Sequence, residues 1–221
     1  LEKVEAIPVL IKGKAGYDIR VNESSATVMD YIDAIDGFIE KNTCYRSRRP
    51  GQQSCFGCDF CCQERVPVTL VDALLLSDGD ISDTVQKVFH VYVEGPVVDI
   101  TLGLDGAGKC RFLEKTQGTC RIYPQRPLVC RTFICCPSTS RAKQLREEIV
   151  NTGEDELVRN WFRMSGAKGH IIHEAIEPAP QISDYSPTSF ANAVRYDQVR
   201  LRDICSPELW ENLRKLTVKP K

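Results

Sequence analysis

Eleven cysteines in a chain of 221 residues, nine of them between Cys55 and Cys136, constrain this sequence more than any other feature. Thiols at that density are cross-linked, bound to metal, or buried as small hydrophobes. Disulfide scaffolds are usually short secreted chains that lack a core. Here apolar residues make up 42% of the chain and charged residues 27%, which is enough to bury a core without covalent staples. The cysteine count is odd. The adjacent pairs Cys61-Cys62 and Cys135-Cys136, and the two-residue gaps before them, suit a metal better than loop-closing bridges. The expected compartment is therefore the reducing cytoplasm.

Global electrostatics point to no anionic partner. With 29 basic and 30 acidic side chains the net charge is -1, so neither nucleic acid nor a membrane surface is expected to bind. No apolar run approaches the roughly 18 residues of a membrane span, and the opening Leu-Glu-Lys-Val-Glu-Ala-Ile-Pro has no signal-peptide pattern.

The first block reads Cys55-Phe-Gly-Cys58-Asp-Phe-Cys61-Cys62. Two-residue gaps let successive thiolates converge from one turn of chain, and Gly57 gives the backbone room to fold back. Ferredoxins use the C-x2-C-x2-C gaps to grip a cubane cluster, with a distant Cys-Pro as fourth ligand; Cys136-Pro137 supplies that dipeptide here. Zinc ribbons normally use two separated C-x2-C pairs, so the series spacing leans toward iron–sulfur. The second block contains Cys110, Cys120, Cys130, Cys135 and Cys136, and Arg111, Arg121 and Arg131 each follow a cysteine directly. Guanidinium groups beside thiolates offset the charge of about -2 on a four-thiolate site. Nine clustered thiols supply one four-thiolate centre, or two with one left over. Cys44 and Cys205 lie outside the cluster and are assigned to packing.

The order C-x2-C-x2-C-C, then C-x-F-L, then C-x-I-Y-x-x-R-P-x-x-C-R resembles the YkgJ-type cysteine-cluster family of zinc- or iron-chelating domains, over about Cys55 to Phe133. The resemblance implies metal ligands at Cys55, Cys58, Cys61, Cys62, Cys110, Cys120 and Cys130. It also implies accompanying roles for Phe112, Leu113, Tyr123, Arg126, Pro127 and Arg131. Tyr123, Arg126 and Arg131 are taken as the residues that attend the cofactor. Cys135 and Cys136 go beyond the family pattern and bring in a second centre as an option. Some members resemble a flagellin lysine N-methylase that carries an iron–sulfur cluster.

Around the cluster the chain reads as α+β, mostly helical with short strands and a loop-rich cysteine-bound metal centre. Strands are expected at Pro8–Ile11 and Tyr17–Val21 with a turn between, then a helix from about Ala26 to Asn42 capped by Ser24 or Ser25. Thr69 caps a short helix, Asp83 a second one reaching about Val93, and Val97 to Leu104 alternates as a strand. A helix from Ser138 or Ser140 breaks at Gly153. Two more begin at Ser186-Pro187 and Ser206-Pro207. These elements divide into a hairpin–helix segment (1–43), a cysteine-cluster core (44–137) and a C-terminal helical segment (138–221).

Weaker signals are set aside. His170 and His173 share the spacing of a helix face but lack an HExxH pattern; Asp105-Gly106-Ala-Gly108-Lys109 reads as a turn; Arg46, Arg48 and Arg49 read as a solvated loop. Three functions remain open: a protein carrying one or two [4Fe–4S] clusters with a redox or accessory role and a redox or protein partner, a zinc module that binds a partner, and a lysine N-methylase-like enzyme. No catalytic residue is assigned.

Overall fold

The computed structural model describes residues 2–42, 57–77, 80–164, 170–174 and 179–215. Its elements run β1 (Val4–Ile11), β2 (Lys14–Val21), α1 (Val28–Lys41), α2 (Leu70–Leu75), α3 (Ile81–Val88), β3 (Phe89–Glu94), β4 (Val97–Leu102), β5 (Leu113–Glu114), β6 (Thr119–Cys120), α4 (Leu128–Thr132), α5 (Ser140–Arg163), β7 (His170–Glu174), α6 (Leu201–Ile204) and α7 (Pro207–Arg214). The class is α+β: the described strands form small sheets, most of them antiparallel hairpins. Contacts divide the chain into two compact units that interleave along the sequence. One comprises residues 1–54, 130–149 and 195–221, the other residues 55–129 and 150–194.

In the first unit, β1 and β2 pair antiparallel from Val4 opposite Val21 to Ile11 opposite Lys14. Both strands run longer than the sequence suggests, because the turn is only Lys12-Gly13, both at positive φ, the arrangement that matches strand twist. Helix α1 starts at a capping box: the Asp30 amide donates to Thr27 Oγ1, and the Thr27 amide donates to Asp30 Oδ2 at 2.8 Å. Thr27 thus takes the role expected of Ser24 or Ser25. The stripe Val28, Tyr31, Ile32, Ile35 and Phe38 is buried. Ala142, Leu145 and Ile149 of α5 and Leu209, Trp210 and Leu213 of α7 complete this core. Asp18, 2% exposed, accepts from Arg141 Nε at 2.9 Å and Nη2 at 2.6 Å, so its buried charge is paired.

The second unit centres on β3, flanked by β4 antiparallel and β7 parallel. The sequence suggests that the preceding helix reaches about Val93, but α3 stops at Val88. Phe89, Val91 and Val93 are buried while the residues between are more exposed, so a period of two takes over from a period of 3.6. Asp80, rather than Asp83, caps α3 through the amides of Ser82 and Asp83. Asp72 is 1% exposed and fully engaged: Oδ2 accepts from the Thr69 amide and hydroxyl, and Oδ1 accepts from the Leu128 amide at 2.9 Å. His170 and His173 lie on β7, so the helical spacing argument does not apply to them. No helix starts at Ser186-Pro187, whereas Pro207 does open α7. Among the described residues no helix is long and apolar enough to cross a membrane.

Helix α5 runs through Gly153 without a break. The reason is steric: a Cβ there would lie 2.6 Å from Thr69 Cγ2, 2.7 Å from Thr69 Cβ and 3.1 Å from the Phe190 ring. Thr69 cannot yield, because its hydroxyl and amide are held by Asp72. Alanine would favour the helix intrinsically by up to about 1 kcal/mol, but overpacking costs about 1–3 kcal/mol. Gly153→Ala should therefore lower the urea midpoint. Thr69→Ser, which keeps the capping hydroxyl and removes the nearer methyl, should restore part of the loss in the double variant.

Candidate metal centre

The described part of the first cysteine block lies in the second unit. Gly57 bends at φ +77, and Phe60–Gln63 makes a single 3-10 turn, with the Cys62 amide donating to Asp59 O. Adjacent Cys61 and Cys62 sit in this turn, and both are half-buried.

The chain then returns to this turn through backbone pairing. Val68 N donates to Ile100 O, Leu102 N to Val66 O, and Cys110 N to Cys62 O at 2.6 Å. That last bond joins the two cysteine blocks directly. Cys120 enters through the β5–β6 hairpin, where it pairs with Leu113, whose amide donates to Cys110 O. Cys61, Cys62, Cys110 and Cys120, separated by up to 59 positions in sequence, are thus gathered within one unit. Cys58, also free and half-buried, precedes the turn.

The thiols influence one another electrostatically. Cys61 is brought down to about 7, first by the hydrogen bond with Cys62 and further by the Arg126 guanidinium, against burial and the Asp59 carboxylate. Burial pushes Cys110 up, with Cys120 and Cys61 adding to the rise. Burial likewise pushes Cys120 up, and Arg126 opposes it. The Arg126 side chain is fixed in place, with its Nε donating to Tyr123 O at 3.1 Å and its Cζ lying 3.8 Å over the Tyr123 ring.

Sequence adjacency points instead to Arg111 and Arg121. Both do lower the thiol beside them, as minor influences, but their guanidinium groups donate to the backbone carbonyls of Lys87 and Arg111. Asp59 and Lys109 carry no sequence signal of their own; their ion pair at 3.9 Å ties the 3-10 turn to the residue before Cys110. Only the tertiary pairing reveals them.

The remaining candidates lie elsewhere. Cys130 and Cys135 are half-buried thiols of the first unit. Arg131 belongs there too, donating from Nε to Asp36 Oδ2 at 3.2 Å. Cys136 is disulfide-bonded, unlike the expectation that bridges play no part, and a disulfide sulfur offers no thiolate until it is reduced. Cys205 is buried and pushed up to about 12 by burial and then Glu148, as suits a packing thiol. Cys55, Cys44, Arg46, Arg48 and Arg49 lie outside the described residues.

Residues 54–149 match a protein-family model, CxxCxxCC, described as "Putative zinc- or iron-chelating domain". The match takes in both cysteine blocks. Comparison with curated proteins and with solved structures finds no match. The domain's function as described is metal binding, and the donor set gathered in the second unit fits it chemically: four thiols, one already near neutrality, with a fixed guanidinium to offset charge. As placed, no three His, Cys, Asp or Glu side chains among the described residues converge at ligating distance.

Because Cys110 and Cys120 titrate above the ordinary thiol range and Cys61 near 7, metal uptake by the chelating domain must release protons. Affinity should rise with pH across neutrality, as read by competition with a chromophoric chelator. Arg126→Gln removes the cation that favours two thiolates. It should weaken metal affinity by about 10- to 100-fold at pH 7, with less loss at higher pH.

Proposed function

We propose that this chain is an iron–sulfur protein in which thiolates of the chelating domain hold a [4Fe–4S] cluster in a redox or accessory role. The observation that carries this reading is the gathering of Cys61, Cys62, Cys110 and Cys120 in one unit, with the Arg126 guanidinium acting on two of them. Four thiolates meet the ligand demand of one cubane, and the C-x2-C-x2-C series favours iron–sulfur over the paired knuckles of zinc ribbons. Bound there, such a cluster supplies one-electron transfer or an open iron for a substrate.

The chain's own residues do the rest. Arg126, braced on Tyr123, offsets the charge of the thiolates. The backbone pairs from Val66 to Leu102 and from Cys62 to Cys110 hold the two blocks together. Cys58 and Cys55 are further candidate donors to this centre, and Cys130 and Cys135 to a second one. Zinc on the same thiols is the second reading, favoured by a family description that names both metals.

Iron, acid-labile sulfide and zinc measured on anaerobically purified protein test the choice. About four iron and four sulfide per chain, with a broad band at about 400 nm, are expected. One zinc and no colour would replace the cluster with a structural metal, whose removal should then unfold the centre. Under either metal, Cys61→Ala and Cys120→Ala should lose it, and Cys205→Ala should keep it.

A further inference from the structure

A second site lies in the same unit, away from the thiols. A cavity of about 350 Å³ opens between α2, α3, the C-terminal part of α5 and the turn near Asn192. That volume is at the lower end of small-molecule pockets. Leu70, Leu74 and Ile81 make one wall, and Ala191 and Val194 face them. The polar lining is concentrated on α5, at Glu156, Arg159, Asn160 and Arg163.

The charges there are not balanced. Glu156, 1% exposed, accepts three hydrogen bonds: Oε1 from Arg159 Nη1 at 2.7 Å, and Oε2 from the Thr188 amide at 2.9 Å and hydroxyl at 3.3 Å. Arg159 is 8% exposed, and its Nε–H has no acceptor among the described residues. A guanidinium has five N–H bonds in a planar fork, and a buried donor without a partner is uncommon. Glu156 meets this guanidinium through Nη1 alone. Asn160 spends one amide hydrogen on Glu156 O. One helical turn beyond Arg159, Arg163 is exposed on the rim and makes no ion pair among the described residues. One positive charge is therefore in excess, at the polar side of an otherwise apolar cavity.

We infer that this cavity binds a small carboxylate with a compact apolar body. The carboxylate meets the guanidinium groups of Arg159 and Arg163, and the apolar group packs against Leu70, Leu74 and Ile81. Carboxylate suits the planar fork because two parallel N–H bonds can be donated to its two oxygens. A bare anion would leave the apolar wall unused, and a neutral apolar molecule would leave the arginines unpartnered. The site does not depend on the metal centre or on which metal it takes.

The test uses the purified full chain and three probes: 4-methylpentanoate, its amide, and inorganic phosphate, titrated by calorimetry and by ligand-observed NMR. The acid should bind saturably, with the amide and phosphate at least about tenfold weaker. Arg163→Gln, at an exposed residue without an ion pair, should fold normally and weaken the acid about fivefold or more, leaving the amide unchanged. Arg159→Lys, which keeps the charge and loses the fork, should weaken the acid further; if that variant does not fold, Arg163→Gln decides. Equal binding of acid and amide, unaltered binding to Arg163→Gln, or no saturation by about 10 mM acid would overturn the inference.

Discussion

Backbone pairing between residues 62–68 and 100–111 is the constraint on which the metal centre depends. A backbone amide or carbonyl removed from water must find a partner. Here the partners run in sequence: Val68 with Ile100, Val66 with Leu102, Cys62 with Cys110. Each successive bond carries the first block closer to the second. The far end of this pairing is anchored by the β3–β4 hairpin, whose buried Val91, Val93, Val98, Ile100 and Leu102 belong to the core of the unit. The thiols are thus positioned by a sheet that contains none of them. The placement of the cysteines at this turn therefore depends on the folded hairpin.

The second requirement is charge. Bringing thiolates together raises the pKa of each, as Cys61 and Cys120 do to Cys110. A cation that answers this must be held firmly, since a free arginine would turn to water. Arg126 is held twice, by the Tyr123 carbonyl and by the face of the Tyr123 ring. The short stretch from Tyr123 to Arg126 therefore supplies both the cation and its brace, and this accounts physically for why the tyrosine and the arginine occur together in the motif.

Much of this is legible in the sequence, for identifiable reasons. The cysteine spacing is a local signal, and it locates the domain that the family model covers. Amphipathic helix α1 and Pro-started α7 are legible too, because periodicity and an N1 proline act within a few residues. What escapes is non-local. Nothing near Gly153 says that Thr69 and Phe190 press against it, so a glycine needed for close packing looks like a helix break. Phe89 to Val93 looks helical until a strand partner at Val97–Leu102 gives it a period of two. Adjacency draws attention to Arg111 and Arg121, whereas Arg126, which only the family resemblance singles out, lowers two thiols from six residues after Cys120 and sixty-five after Cys61. Electrostatics follow space, and spacing in sequence reports space only within a turn of chain.

The two buried carboxylates of the second unit show how structural and functional polar groups differ. Asp72 accepts from the Thr69 amide and hydroxyl and from the Leu128 amide, which are fixed parts of the fold. It caps α2 and anchors the start of α4. Glu156 accepts three as well, but one comes from an arginine that it cannot fully engage. A purely structural pair would place the guanidinium so that its donors were used up, since each orphaned donor costs stability. Arg159 shares one N–H with its carboxylate, lines a cavity and leaves its Nε–H without an acceptor among the described residues. The same accounting applied to Asp18 and Arg141 finds no such remainder: Arg141 uses Nε and Nη2 on Asp18 and Nη1 on the carbonyls of Asn212 and Lys215. The difference between these two buried arginines, one consumed by its surroundings and one not, is what sets the Arg159 cavity apart from ordinary packing.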